Sequence, residues 1–273
     1  MVRRTKAGAV RHDAKYSVPI VELFQSLLND EAKPVAGPIV DPFAGTGQYL
    51  ELLCRDDVSG IELEPEWAEC SDLVVQGDAT DPGSYPAKVG TIVTSPCYGN
   101  RFAGNYLGKP CDVCGHSAEA DPGCEVCEGT GWDARRRYGY AVTLARPLSE
   151  GSGALHTFGK QYRALHRQFL KTAAEVLEPG ARRFILNMSD HSNAQSGHQY
   201  VVAWWIKAAA DRGFRMVEAH TVETRRMKNG ANRELRADSE MVIVFDLLTR
   251  TETVDARSGG LQQSQVKGKR TDG

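Results

Sequence analysis

The stretch Pro38-Ile-Val-Asp41-Pro-Phe-Ala-Gly-Thr-Gly47 decides the fold. A short apolar run ends on an aspartate, and Gly45 and Gly47 then let the backbone turn sharply and come close to a ligand. Tyr49 to Cys54 reads as the following helix, with free N–H groups at its start. A lone Gly-x-Gly turn is weak evidence, because dinucleotide-binding folds and plain tight turns both contain one. The segments around it add weight. Pro19 to Leu28 reads as a helix with Ile20, Leu23, Leu27 and Leu28 on one face, and Val58 to Glu62 as a strand ending Gly60-Ile-Glu62. Pro65 to Cys70 starts a helix, Leu73 to Gln76 is a strand leading to Gly77-Asp78, and Thr91 to Val93 is a strand running into Thr94-Ser-Pro-Cys-Tyr-Gly-Asn100. Such alternation of β and α segments is the signature of a parallel sheet.

The alternation breaks after Asn100 and resumes late. Residues 101 to 160 carry Gly, Pro, Cys and Arg with little periodicity, and a stretch of that length is functional or an insert with its own organisation. Tyr162 to Leu177 then reads as a helix, Arg183 to Met188 as a strand, and Gln199 to Arg212 as a helix carrying Trp204 and Trp205. Arg215 to Val222 and Glu240 to Leu247 are the last strands. From Thr249 the composition is polar and reads as disordered. The expected organisation is a basic arm (1–10), one α/β domain (11–100 and 145–248), an insert (101–144) and a tail (249–273).

Composition narrows the function classes. A chain of 273 residues can bury a substantial core. Its net charge of -2 means that any nucleic-acid surface is a local patch rather than the whole molecule. No apolar run approaches the roughly 18 to 20 residues of a membrane span, and Met-Val-Arg-Arg-Thr-Lys has no apolar signal core behind it. These features predict a soluble, cytoplasmic protein with no membrane partner. Four of its seven cysteines form two Cys-x-x-Cys pairs, Cys111-Asp-Val-Cys114 and Cys124-Glu-Val-Cys127, with Gly115 and Gly129 where knuckle turns need open backbone. Four thiolates so spaced suit one tetrahedral Zn2+ in a reducing compartment better than a disulfide framework. Cys54 and Cys70 read as ordinary buried thiols, and His116 as a bystander.

Acidic residues at successive strand ends suit an adenosine. A carboxylate at Glu62 can accept both ribose hydroxyls, and Asp78 can accept from an adenine amino group. Taken singly, Glu62, Glu64 and Asp78 are solvated acids or caps; in register with the glycine loop they read as a nucleoside cradle. A second basic stretch, Thr224 to Arg236, holds Arg225, Arg226, Lys228 and Arg233 between the last two strands. Guanidinium and ammonium groups there suit phosphate contact, and a solvated hairpin tip is the plainer alternative.

Asp41-Pro-Phe-Ala-Gly-Thr-Gly47, Gly60-Ile-Glu62, Gly77-Asp78 and Ser95-Pro-Cys-Tyr-Gly-Asn-Arg101 resemble the successive motifs of S-adenosylmethionine-dependent DNA methyltransferases that modify exocyclic amines. That family has Asp/Asn/Ser-Pro-Pro-Tyr/Phe at the end of its fourth strand. The resemblance runs from about His12 to about Leu247 and includes Lys15-Tyr16-Ser17, Arg146-Pro-Leu, the helix with Tyr162, and Asn187-Met-Ser-Asp190-His191, which look like such proteins of phage and actinobacterial type. It implies a Rossmann-like class I methyltransferase fold with a mostly parallel seven-stranded sheet and helices on both faces. It implies that Lys15, Tyr16, Ser17, Asp41, Phe43, Gly45, Gly47, Glu62 and Asp78 bind S-adenosylmethionine. Double-stranded DNA is then the partner, with Arg101, Arg135, Arg136, Arg225, Arg226, Lys228 and Arg233 as expected contacts.

The chemistry accounts for the residue types. An amine conjugated to its ring is a poor nucleophile, so its nitrogen must become tetrahedral in line with the sulfonium methyl. Ser95 Oγ and the Pro96 carbonyl can accept its protons, and Tyr98 offers a face for a flipped base. Serine at 95 leans toward cytosine N4, with adenine N6 open. Cys97 stands where the family has a second proline. Pro96-Cys97 is also how cytosine-C5 methyltransferases present their nucleophile, but the following Tyr98, the sequence Leu186-Asn-Met-Ser-Asp190 and Gly99-Asn-Arg101 favour a small apolar residue. A third reading is a zinc-dependent nucleic-acid-binding protein whose methyltransferase fold has lost activity. RNA or a protein glutamine amide could also present an amine to such a loop.

Overall fold

The computed structural model describes residues 16–98, 113, 124, 140–144, 146–193, 197–224, 238–249 and 252. The first parallel strands are β1 (Ile39–Asp41), β2 (Val58–Glu62), β3 (Val74–Gln76), β4 (Thr91–Thr94) and β5 (Gly180–Met188). With β8 (Phe214–Glu223) and β9 (Ser239–Leu247) they form a seven-stranded sheet in the order β3-β2-β1-β4-β5-β9-β8. Strands β1 to β5 pair in parallel, while β9 is antiparallel to both of its neighbours. A separate hairpin pairs β6 (His191–Asn193) with β7 (Gly197–Gln199), an element the sequence reading did not contain.

Strand periodicity sorts the core onto two faces. Val40, Ile92, Phe184, Leu186, Ile243 and Phe245 point to one side, where α4 (Lys160–Val176) and α5 (Val201–Ala210) bury Phe169, Leu170, Ala173 and Trp205 on them. Their chain neighbours Ile39, Val93, Ile185, Val242 and Val244 point to the other side, under α1 (Val18–Leu28). Helix α1 buries Ile20, Val21, Phe24, Leu27 and Leu28, so Phe24 takes the place expected of Leu23. A third cluster joins Trp67 of α2 (Pro65–Ala68) to Tyr140 and Leu144 of α3 (Tyr140–Leu144), which lies within the stretch read as the insert.

Two boundaries differ from expectation for local reasons. Tyr49 to Cys54 is no α-helix but a single 3-10 turn, Leu50–Leu53, which buries Leu50 and Leu53 and ends at Cys54 in a left-handed conformation (φ 55). Strand β5 begins three residues before Arg183, with an irregularity between Gly180 and Phe184 where Arg182 adopts φ 50. The nearly buried Arg182 guanidinium donates to the Leu27 and Lys33 carbonyls and to Glu218, tying the end of α1 to β8. Helix α5 starts at Val201 because Asp190 accepts from Val202 N at 2.8 Å, so Asp190 acts as a capping residue. The expected tail falls outside the described residues apart from Thr249 and Glu252, and no helix among the described residues is long and apolar enough to cross a membrane.

Phe184, at the centre of β5, is fully buried and stacks on Phe245 with ring centroids 5.4 Å apart. Phe184→Ala should lower the unfolding free energy by about 3–5 kcal/mol. Urea denaturation followed by circular dichroism measures this, and a loss within the fitting error would remove this face from the cooperative core.

Candidate active site

The order of the parallel strands reverses between β1 and β4, and ligands collect beyond the strand ends at such a switch point. Strand β1 ends in the glycine loop and β4 ends in Ser95-Pro-Cys-Tyr98, so the two sequence motifs share that crevice. Asp41 joins them. Its carboxylate is fully buried and accepts from the Thr94 hydroxyl across the strand pair, from the Tyr49 hydroxyl, from Phe43 N at 2.8 Å and from Tyr16 Oη at 3.4 Å. Burial raises its pKa to about 6, even though these donors favour the charged form. Asp41, read as a donor-binding residue, therefore spends its carboxylate on the protein itself.

The glycine loop has little freedom. Gly45 and Gly47 have φ 56 and 68, and a Cβ on Gly47 would come within 2.5 Å of Val74 Cγ2. Gly45 N donates to Glu62 Oε2 at 2.9 Å while Glu64 N donates to Oε1 at 2.9 Å. Two backbone donors thus orient the Glu62 carboxylate at the end of β2, and burial pushes its pKa to about 7. Each oxygen keeps a further lone pair, the capacity a diol requires.

Asp78 is committed in part. One oxygen accepts from Thr80 N and Thr80 Oγ1, both at 2.8 Å, which makes a local turn, and the other faces Gly151. Tyr16 packs on Tyr49 and Phe24, and burial raises its hydroxyl pKa well above the usual value. Ser17 Oγ is buried with no hydrogen-bond partner among the described residues. Phe43 turns its ring into the core against Phe169 and His166. Lys15 lies outside the described residues, as do Arg101, Cys111, Cys114, Cys127, Arg135, Arg136, Arg225, Arg226, Lys228 and Arg233. Cys124 is described and buried.

After β4 the loop is held from below. Tyr162 donates to the Cys97 carbonyl at 2.8 Å and accepts from Trp205 Nε1 at 3.0 Å, which fixes the backbone beside Pro96. The half-buried Cys97 packs against the cluster formed by Trp67, Tyr140, Leu144, Leu148 and Ala154. Burial, with Glu62 nearby, pushes its thiol up to about 12, so it is held neutral where a nucleophile must ionise. Ser95 Oγ lies 3.0 Å from Tyr98 Oη, and Asn187 Nδ2 approaches Ser95 Oγ at 3.3 Å and Tyr98 Oη at 3.0 Å. Tyr98 Oη and Asn187 Nδ2 both donate to Glu240 Oε2, at 2.8 and 2.7 Å.

The sequence reading missed the roles of Thr94, Tyr49 and Glu240. An acid opening an otherwise apolar strand was the available signal for Glu240. It also missed the anchor that Arg146 makes on Glu64 at 2.7 Å and on Glu66 at 2.7 Å, joined by Ser149 N and Oγ on Glu64 at 2.9 Å. His166 was not singled out either. It is fully buried between Phe43, Tyr162 and Trp205, with neither ring nitrogen bonded among the described residues, and burial drops its pKa to about 3.

Strand order and the antiparallel β9 settle the architecture. The fold is that of a Rossmann-like class I methyltransferase. Solved structures of similar fold include TrmN from Thermus thermophilus (16% identity, TM-score 0.44, covering 84% of this chain and 49% of that one). Others are magnesium protoporphyrin IX methyltransferase (ChlM) from Synechocystis PCC 6803 with bound SAM (10%, 0.39, 83% and 76%) and a SAM-dependent methyltransferase from Methanosarcina mazei (11%, 0.41, 78% and 92%). The chain spans about half the length of TrmN. No protein-family model matches it, and no curated protein does.

The raised carboxyl pKa values set a pH dependence. Glu62 goes from 4.5 to about 7 and Asp41 from 3.8 to about 6, so the folded chain holds protons that the unfolded chain has released. Their contribution to stability is full below the unfolded values and is lost as pH rises through the folded ones. The melting temperature should therefore fall between pH 5 and pH 7, and Glu62→Gln should shrink that fall. Scanning calorimetry across the range measures it, and an equal slope in both proteins would contradict the burial of Glu62.

Proposed function

We propose that the protein transfers a methyl group from S-adenosylmethionine to an exocyclic amine of a flipped base in double-stranded DNA, cytosine N4 or adenine N6. The observation that carries this reading is the meeting of the glycine loop and Ser95-Pro-Cys-Tyr98 on the adjacent strands β1 and β4, joined through Asp41 and Thr94. Glu62, with two backbone donors behind it, would accept the ribose hydroxyls, and the open side of Asp78 the adenine amine. The cofactor supplies an electrophilic methyl. Ser95 Oγ and the Pro96 carbonyl would hold the acceptor amine in line with it.

Chain topology supports a nucleic-acid partner. The segment 99–139 leaves after Tyr98 and rejoins at Tyr140, and the basic segment 225–237 leaves and rejoins where Thr224 N donates to the Asp238 carbonyl at 2.9 Å. Strand β8 runs parallel to β5, so its end and the start of β9 lie on the ligand-bearing edge. The DNA-binding reading of Arg225, Arg226, Lys228 and Arg233 rests on these anchors. That of Arg101, Arg135 and Arg136 rests on the flanks of the cysteine-bearing stretch. The Zn2+ reading rests on the two Cys-x-x-Cys pairs, Cys111, Cys114, Cys124 and Cys127, which would together make one tetrahedral site.

Incubation with tritiated S-adenosylmethionine and unmethylated bacterial DNA, followed by nucleoside mass spectrometry, should reveal N4-methylcytosine or N6-methyladenine. 5-Methylcytosine alone would overturn the mechanism. Ser95→Ala should lower kcat on the order of 10²-fold while leaving donor affinity intact by calorimetry. Cys97→Ala should keep most of the activity, whereas removing a covalent nucleophile costs on the order of 10⁶.

Elemental analysis of the purified chain should find about one zinc per molecule, lost in Cys114→Ser. Metal-free protein with unaltered stability would refute the zinc site. Unchanged DNA affinity and site choice in Cys114→Ser would assign the metal a purely structural role.

A further inference from the structure

Ser95, Tyr98, Asn187 and Glu240 come from three parts of the chain, the loop after β4, the end of β5 and the start of β9, yet they form one hydrogen-bonded cluster. Its direction follows from counting protons. An ionised carboxylate only accepts, so the single Tyr98 hydroxyl proton goes to Glu240 Oε2 at 2.8 Å. Tyr98 Oη is then left as an acceptor, and the Ser95 hydroxyl proton turns toward it across 3.0 Å. One Asn187 amide proton goes to Glu240 Oε2 at 2.7 Å, while its Oδ1 is buried without a hydrogen-bond partner among the described residues. Ser95 Oγ consequently keeps a lone pair for a group on its open side, and a row of three hydroxyl or carboxyl oxygens leads from it to Glu240. Ser95 and Glu240 are each partly exposed, so the row opens to solvent at its far end.

Methylating an amine creates a proton that must leave. The sulfur–carbon bond breaks with its electron pair going to sulfur, and the nitrogen lone pair forms the new nitrogen–carbon bond. The nitrogen then carries one hydrogen too many. A ring-conjugated nitrogen with four bonds is a far stronger acid than a carboxyl group, so the transfer runs downhill toward any connected carboxylate.

We propose that Glu240 is the terminal acceptor of this proton, reached through the Ser95 and Tyr98 hydroxyls. The nitrogen gives its proton to Ser95 Oγ, Ser95 passes its own to Tyr98 Oη, and Tyr98 passes its own to Glu240 Oε2. One N–H bond is lost and one O–H bond on Glu240 is gained, and Glu240 later releases the proton to water. Asn187 is a positioning residue that keeps the carboxylate oxygen aimed at Tyr98. The inference rests on the amine-methyltransferase reading and gives Tyr98 a second task beside offering its ring face.

The test measures tritiated methyl transfer into unmethylated bacterial DNA together with donor affinity by calorimetry. Glu240→Gln keeps the shape but accepts no proton, and should lower kcat on the order of 10²-fold with KM for donor and DNA within about twofold. Tyr98→Phe keeps the ring and breaks the row, and should lose a similar factor. The double variant should be no worse than either single one, because both cut one path. Glu240→Asp should recover part of the rate, and millimolar formate should partly restore Glu240→Ala. Wild-type kcat in Glu240→Gln, or losses that multiply in the double variant, would overturn the relay while leaving the methyltransferase reading intact. A wild-type protein that transfers no methyl to DNA would instead sink that reading, and the relay with it. Should Glu240→Gln fail to fold, Tyr98→Phe and its kcat decide alone.

Discussion

One buried carboxylate holds the molecule's two working loops in register. Asp41 sits at the end of β1 with no access to water and is stabilised by hydroxyl donors from β4 and from the turn after the glycine loop. Removing such a group from solvent is costly, and only a full set of donors offsets the cost. The donors come from Thr94, Tyr49, Tyr16 and the Phe43 amide, so the carboxylate is satisfied only when β1, β4 and the N-terminal segment are all docked. The crevice beyond the two strands inherits its shape from that requirement. Gly45 then points its amide at Glu62, and Ser95 starts from a strand end that Asp41 has already fixed.

The sheet was largely legible in the chain because its signals are local. Apolar runs of strand length ended by Asp41, Glu62, Asp78 and Ser95 mark parallel strands whose ends face one way, and Phe169 and Trp205 mark the helices that cover them. Legibility failed where tertiary packing overrode local pattern. Leu50 and Leu53 are spaced as on a helix, but Cys54 turns left-handed and one 3-10 turn is all that forms. Arg182 opens β5 in a conformation unusual for its residue type because its guanidinium is needed by carbonyls of another segment.

The site was legible to the extent that its residues lie in motifs. Glu62 and Ser95 stand where their strand-end positions placed them, while Asp41 turned out to be spent on the protein and Asp78 partly on its own turn. Glu240 shows in the sequence only as an acid opening a strand, and its role stayed hidden because its partner Tyr98 lies 142 residues away. The ties from Arg146 and Ser149 to Glu64 and Glu66 are likewise long-range, joining the chain beyond the cysteine-bearing stretch to the edge next to Glu62. No spacing rule along a sequence encodes such pairs.

The reversed strand β9 has a further consequence. In an all-parallel sheet the chain must cross back over a face before each new strand, so nothing that starts a strand lies beside the ligand crevice. Because β9 runs the other way, β8 ends and β9 begins on the same edge, closed by the Thr224–Asp238 hydrogen bond. The segment 225–237 joins the two strands at that clasp. A change of length or sequence in 225–237 therefore enters and leaves the sheet at one point, between Thr224 and Asp238, and does not require the register of β8 on β9 to shift.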